Sequence, residues 1–469
     1  MKYISTRGQS EPLNFEQVLM KGLAADKGLY MPETWPRLSY EQISNLKYLS
    51  YDKLAHELIT PYVGDVLSPY ELEQIIYKSY SSFSNSEITP LIQLTNKEYL
   101  LELFHGPTLA FKDCAMQLLG SLFEFFLKKR KEKITIICAT SGDTGAAAVE
   151  AIKDKAFIDL VVLFPKGRIS EVQQRQISTS GSENIHSLAI EGNFDDCQLI
   201  VKNLLNNKEF CNKYNLSAVN SINWVRVMAQ VIYYFYAALK LGSPGEKINF
   251  SVPTGNFGDI FAGFVAFKMG LPIEKLCIAT NSNDALERFL TKGEYVVESV
   301  KATISPSMDI QIASNLERLL FECSDRNYKM IRNIMSNLNN EKKFEIDYHT
   351  LSKIKDLFIA KSVNEELTKR TIKDFWLEYN KLIDPHTAVG LRAGKNILPI
   401  NEKIVYLATA HPSKFPEAVK SSIGLVPEIP ISVKDIIKKK EIYTILGNEE
   451  KDVKEYFYEN IYNLSREEF

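Results

Sequence analysis

The stretch Glu102-Leu-Phe-His-Gly-Pro-Thr-Leu-Ala-Phe-Lys-Asp113 puts an amine in unusual company. Leu109, Ala110 and Phe111 precede Lys112, and Cys114, Ala115 and Met116 follow just beyond Asp113. A helix opening near Lys112 would carry Ala115, Met116, Leu118 and Leu119 into a core. Drawing the ammonium in with them disfavours its charge, and an uncharged lysine is a nucleophile. His105, Gly106 and Pro107 form a rigid turn that could present a ligand to it. A lysine snorkelling from the first turn of a core helix fits the same pattern, so other residues must decide.

Three further stretches each follow a short apolar run, at the sheet edge where open α/β folds bind ligands. In Thr254-Gly255-Asn256-Phe257-Gly258, small residues let backbone N–H groups approach an anion, and a helix N-terminus adds partial positive charge. This suits a phosphate, although an ordinary strand–helix turn reads alike; neither a Walker Gly-Lys-Ser/Thr nor a GxGxxG is present. Thr140-Ser141-Gly142-Asp143-Thr144-Gly145 offers hydroxyls and N–H groups that could bracket both oxygens of a carboxylate. Asp143 would repel a second anion yet could accept a hydrogen bond from a phenol; alternatively Asp143 or Thr144 caps a helix. Thr409 follows the last apolar strand and would present a neutral hydroxyl to a heterocyclic nitrogen, or is simply a strand-end threonine. A reactive lysine, a phosphate cradle, a carboxylate loop and a terminal hydroxyl are together what pyridoxal 5'-phosphate chemistry on an amino acid requires.

The elements that must hold these groups alternate strand with helix from about residue 91, which predicts mostly parallel α/β sheets. Residues 1–95 read as a mostly helical N-terminal region, 96–230 as a small α/β domain, and 231–469 as a large α/β domain. Residues 315–382 read as a charged helical insertion or outer layer without strands, and the tail beyond 430 as a solvated amphipathic finish. With 469 residues, several cores are expected. Lys plus Arg is 56 and Asp plus Glu is 58, so the net charge of −2 offers no footprint for nucleic acid. The six cysteines contain no CxxC pair, no metal site is expected, and free thiols suit a reducing compartment. No apolar h-region opens the chain and no apolar run approaches the ~20 residues of a membrane span, so a cytoplasmic protein is expected.

The chain resembles the threonine synthases, in the tryptophan-synthase-β-like group of fold type II pyridoxal-phosphate enzymes, and most of all their longer subgroup from bacteria and fungi. The likeness runs through Tyr3-Ile-Ser-Thr-Arg-Gly8, Gly28-Leu-Tyr-Met-Pro32, His105 to Asp113, Thr140 to Gly145, Glu191-Gly-Asn-Phe-Asp-Asp196, Asn220-Ser-Ile-Asn-Trp-Val-Arg226, Gly255 to Gly258 and Ala408-Thr-Ala-His-Pro412, in the family order. The resemblance implies that Lys112 is the Schiff-base lysine and later the base at Cα and Cβ. It implies that residues 254–258 hold the cofactor phosphate and that Thr409 faces the pyridine nitrogen. Residues 140–145 would then bind the substrate carboxylate, with Asp143 near the phenolic oxygen, where many relatives outside the threonine synthases carry Asn. The implied reaction turns O-phospho-L-homoserine and water into L-threonine and phosphate, with a small domain closing over substrate. Lys166, Asn220, Ser221, Asn223 and Arg226 are the candidates for the leaving phosphate, Arg226 being equally a structural ion pair. A monomer or homodimer is expected. A phospholyase releasing 2-oxobutanoate would share lysine and cradle, and a non-catalytic binding relative would lack the chemistry.

Overall fold

The structure, a computed structural model, describes residues 1–218, 222–399 and 401–461. The chain divides into two compact units, one of residues 1–73, 85–105 and 222–427, the other of residues 74–84, 106–218 and 428–461.

The second unit is built on a five-stranded parallel sheet in the order Thr444–Leu446, Ile185–Ile190, Ile158–Pro165, Ile134–Ala139, Leu216–Ala218. Every residue of Ile158–Pro165 is buried, as a central strand covered on both faces requires, which is why its sequence runs apolar instead of alternating. Its one acid, Asp159, is met by Lys133 at 2.8 Å. The helix Lys112–Arg130 packs beside the helix Asp143–Ile152. Gly120 permits this, because a Cβ there would stand 2.5 Å from the Ala151 carbonyl oxygen. Lys128, Lys129 and Arg130 close the long helix where the dipole favours cations. The C-terminal tail is docked, not solvated: Thr444–Leu446 pairs with Ile185–Ile190, and Val453 and Phe457 of Glu450–Asn460 join Ile200, Leu204 and Phe210 in a core cluster. Their spacing of four along a helix marks a buried face that the surrounding charges mask.

The first unit holds a six-stranded sheet in the order Phe358–Ser362, Ile273–Thr280, Ile248–Pro253, Ile404–Ala408, Glu98–Glu102, Leu91–Gln93. All pairs are parallel except the last. Trp224–Lys240, buried from Trp224 to Leu239, packs against Gly258–Lys268. The N-terminal helices Phe15–Lys21, Tyr40–Asn45 and Tyr51–Val63 are joined by a small antiparallel pair, Tyr3–Ser5 with Tyr30–Pro32.

Three placements differ from the sequence expectation, the docked tail being the first. Residues 96–105 lie in the first unit because Glu98–Glu102 pairs with Ile404–Ala408, more than three hundred positions away, and residues 222–230 because Trp224–Lys240 packs against Gly258–Lys268. Periodicity reports which face of a strand is buried and says nothing of its neighbour. The 315–382 stretch contains strands, Lys343–Glu345 and Phe358–Ser362, the latter an edge strand of the large sheet. Only its first residue is fully buried, so the apolar run that would betray it is short. Among the described residues no helix is long and apolar enough to cross a membrane, and no cluster of three or more His, Cys, Asp or Glu could hold a metal ion.

Candidate active site

In the second unit Lys112 is the first residue of its helix. The turn before it is locked: Asp113, fully buried, accepts from the Thr108 N–H at 2.8 Å and the Thr108 hydroxyl at 2.7 Å. Gln176 donates to the Thr108 carbonyl at 3.0 Å. Leu109 adopts φ 62°, a left-handed conformation in which its N–H reaches the Gly106 carbonyl at 3.1 Å. Gly106 is needed here, since a Cβ would come within 2.4 Å of the Asp113 Cβ. The Lys112 side chain is 12% exposed, and its Nζ stands 3.5 Å from Asp143 Oδ2. The sequence alone suggests an amine among apolar groups; the structure adds an anionic neighbour.

Asp143 is the first residue of Asp143–Ile152, and Gly142 occupies the N-cap without a side-chain bond, so neither Asp143 nor Thr144 serves as the cap. Asp143 Oδ1 accepts from Gln173 Nε2 at 2.9 Å, leaving Oδ2 to Lys112. Gly142 has φ 127°, and a Cβ on it would strike the Gln173 amide carbon at 2.4 Å. The Thr140 hydroxyl oxygen accepts from the Gly142 and Gly145 N–H groups at 2.9 and 2.8 Å. Thr140 therefore shapes the loop, while the partly exposed Ser141 and Thr144 hydroxyls have no side-chain hydrogen bond among the described residues. Lys166, beyond the adjacent strand, pairs with Glu191 at 2.9 Å.

In the first unit the stretch 254–258 joins Ile248–Pro253 to Gly258–Lys268. Thr254 is an anchor: its hydroxyl donates to the Val252 carbonyl at 2.7 Å and its N–H to the Ala279 carbonyl at 2.8 Å. Phe257 takes φ 64° at the helix N-cap. The N–H groups of Gly255, Asn256, Phe257 and Gly258 meet no protein acceptor among the described residues. Successive unpaired N–H groups at a left-handed turn and helix N-terminus form an anion-binding concavity. The Asn256 carbonyl is fixed by the backbone and side-chain N–H of Asn315, both at 3.1 Å. Asn315 in turn receives a hydrogen bond from the fully buried Arg318. Burial pushes the Arg318 guanidinium down to about 9. Its other donors hold the Tyr30 carbonyl at 3.0 Å and the Ile222 carbonyl at 2.6 Å.

Asp259, next in the helix, accepts from the Tyr233 hydroxyl at 2.5 Å and the Tyr234 hydroxyl at 3.0 Å, yet burial raises its carboxyl to about 7. Between about 4 and about 7 the folded state keeps a proton that the unfolded chain releases, so this group makes stability fall as pH rises through that window. The melting temperature of Asp259→Asn is expected to lack this limb. Identical pH profiles for the two proteins from about 4 to about 8 would contradict the assignment.

Thr409 is 5% exposed and its N–H donates to the Thr387 hydroxyl oxygen at 3.3 Å. Its own hydroxyl has no partner among the described residues. His411 accepts from the Ser413 N–H at 3.2 Å, and burial, then the neighbouring His105, push its imidazole down to about 4. Asn223 departs from the expectation for a phosphate ligand: its carbonyl oxygen caps Trp224–Lys240 through the Val225 N–H at 3.0 Å and its amide donates to the Leu19 carbonyl at 3.0 Å. An Asn directly before a helix is a cap signal that the sequence itself carries. Arg226 is buried in the first turn of that helix, and Asn220 and Ser221 lie outside the described residues.

Residues 2–80 match the family model of the threonine synthase N terminus, residues 85–410 that of the pyridoxal-phosphate dependent enzymes, and residues 387–457 that of the threonine synthase C-terminal region. The chain is 46% identical over 451 residues to the threonine synthase of Pseudomonas aeruginosa, with 96% of each chain covered. The chain belongs to the threonine synthase family. It superposes on the solved PLP-bound threonine synthase of Brucella melitensis with a TM-score of 0.96 at 48% identity, covering 98% of this chain and 99% of that one. Against the yeast threonine synthase the TM-score is 0.93 at 38% identity, with 98% of both chains covered. The fold is that of the fold type II pyridoxal-phosphate enzymes, and pyridoxal 5'-phosphate is the family's cofactor. Residues of each unit suit a part of that group: in the first, a row of N–H groups without a protein acceptor among the described residues suits its phosphate and the unpartnered Thr409 hydroxyl its ring; in the second, the recessed Lys112 amine suits its aldehyde.

Proposed function

We propose that this chain makes L-threonine and phosphate from O-phospho-L-homoserine and water, with Lys112 as its catalytic residue. Family membership over nearly the whole length supports the reaction, and the recessed Lys112 amine beside Asp143 supports the role. The bound cofactor supplies an electron sink for the charge left when the substrate's Cα gives up a proton. Lys112 removes that proton and then another from Cβ as phosphate leaves Cγ, one of the two going to the departing phosphate and the other to Cγ, which becomes the methyl carbon. Water then adds its hydroxyl at Cβ, and its remaining proton is returned through Lys112 to Cα. Gly255, Asn256, Phe257 and Gly258 bind the cofactor phosphate through their N–H groups, with Thr254 anchoring the loop. The Thr409 hydroxyl meets the ring nitrogen as a neutral partner, so the nitrogen stays largely unprotonated. Ser141 and Thr144 bind the substrate carboxylate in a loop that Thr140 and Gly142 shape, and Asp143 orients the Lys112 amine. Lys166 and Arg226 are cations for the leaving phosphate, and Asn220 and Ser221 remain its polar candidates. Six free cysteines support a cytoplasmic setting.

Product analysis tests the reading. Purified protein supplied with cofactor and O-phospho-L-homoserine should release threonine and phosphate in equal amounts. Phosphate accompanied by 2-oxobutanoate in place of threonine would make the protein a phospholyase.

A further inference from the structure

Asp384 is fully buried at the N-cap of the helix Pro385–Ile397. Its carboxylate accepts from the N–H groups of His386 at 2.9 Å and Thr387 at 3.3 Å. A plain cap would stop there. This one also binds two side chains, His386 Nδ1 at 2.8 Å and the Thr387 hydroxyl. Beyond each lies a different part of the site. His386 Nε2 accepts from the Ser307 N–H at 3.2 Å, so the imidazole proton sits on Nδ1 and faces Asp384. The Ser307 carbonyl oxygen walls the phosphate loop, 2.7 Å from where a Gly255 Cβ would stand. The Thr387 hydroxyl gives its proton to Asp384 and so turns a lone pair to the Thr409 N–H at 3.3 Å.

We infer that Asp384 is a positioning residue that sets both ends of the cofactor site at once, the phosphate loop through His386 and Ser307, and Thr409 through Thr387. This rests on residues 255–258 holding the cofactor phosphate and on Thr409 facing its ring. Among the described residues the Asp384 side chain is the acceptor that the two side chains share, so a correctly seated Asp384 fixes the His386 tautomer and the Thr387 rotamer together. The arrangement predicts separable effects from cutting each branch.

The test uses the full-length apo-protein titrated with pyridoxal 5'-phosphate, reading affinity, the 31P resonance of the bound phosphate and the visible absorption maximum. His386→Phe should weaken cofactor affinity about tenfold, the loss of one buried hydrogen bond, and move the 31P resonance with the visible maximum unchanged. His386→Gln, which keeps an acceptor, should restore both. Thr387→Val should move the visible maximum and lower kcat with the 31P resonance unchanged, and Thr387→Ser should restore them. Should His386→Phe fail to fold, Asp384→Asn replaces it and is expected to move both spectroscopic readouts. If the wild type binds cofactor and makes threonine while these variants keep both spectra, this inference alone is overturned; the same holds if Thr387→Val moves both readouts alike, or if His386→Phe does. A wild type that takes up no cofactor overturns the functional reading and this inference with it.

Discussion

Lys112→Ala is expected to lower threonine formation at least about a thousandfold, because the substitution removes both the cofactor's covalent anchor and the base that moves protons at Cα and Cβ. The fold should survive. Lys112 opens a helix whose stability lies in Ala115, Met116, Leu118, Leu119 and Leu122 further along, all buried. The geometry before the lysine is held by Asp113, Thr108 and Gln176 without its help. Removing an ammonium 3.5 Å from Asp143 takes a cation from that carboxylate, while the Gln173 amide goes on donating to it. A small loss of stability therefore accompanies the loss of rate. Borohydride treatment of the wild-type holoenzyme followed by peptide mass analysis should place the cofactor's mass on Lys112. A Lys112→Ala protein within a few-fold of the wild-type rate would contradict the role.

Gly255→Ala should cost the next most. Its Cβ would lie 2.7 Å from the Ser307 carbonyl oxygen and 3.1 Å from the Ile310 Cδ1. The first contact is with backbone, so no rotamer change relieves it. Overpacking of this kind costs about 1–3 kcal/mol, and where it displaces the cradle the loss appears as roughly a 5- to 150-fold weaker cofactor affinity. Gly424→Ala is the control: at φ 77° it meets nothing within 4 Å, so it should lower stability slightly and leave affinity alone. Titration of the apo-proteins with cofactor reads the difference, and an unchanged Gly255→Ala affinity would show that the loop does not carry the phosphate.

Much of the site is legible in the chain itself. The loops 140–145 and 254–258 stand out because Gly and hydroxyl residues directly after a β-branched run interrupt both periodicities, and the structure places each at the carboxyl end of a strand. The run before Lys112 announces a lysine at the head of a core helix, and the helix begins there. Partnership across distance is what cannot be read. Nothing local says that Gln173 steadies Asp143, that Arg318 reaches Asn256 through Asn315, or that Thr387 holds Thr409. Each of these is a common polar residue whose role is set by a neighbour remote in sequence. Asp384-Pro385-His386 is the exception, since an Asp before a Pro marks a helix start. Even there, the cap is visible and the two side-chain branches are not. Thr140 and Thr254 show the converse: hydroxyls that read as ligand groups are used by the protein to hold its own loops.

In the proposed reaction water enters at Cβ while the phosphate leaves with its original oxygen. The most direct test is turnover of O-phospho-L-homoserine in 18O-enriched water, with threonine and phosphate analysed by mass spectrometry. One 18O is expected in each threonine, in its side-chain hydroxyl, and none in the phosphate. Label in the phosphate, or unlabelled threonine, would mean a reaction that splits the P–O bond, and the roles of Lys112 and the 140–145 loop would fall with it.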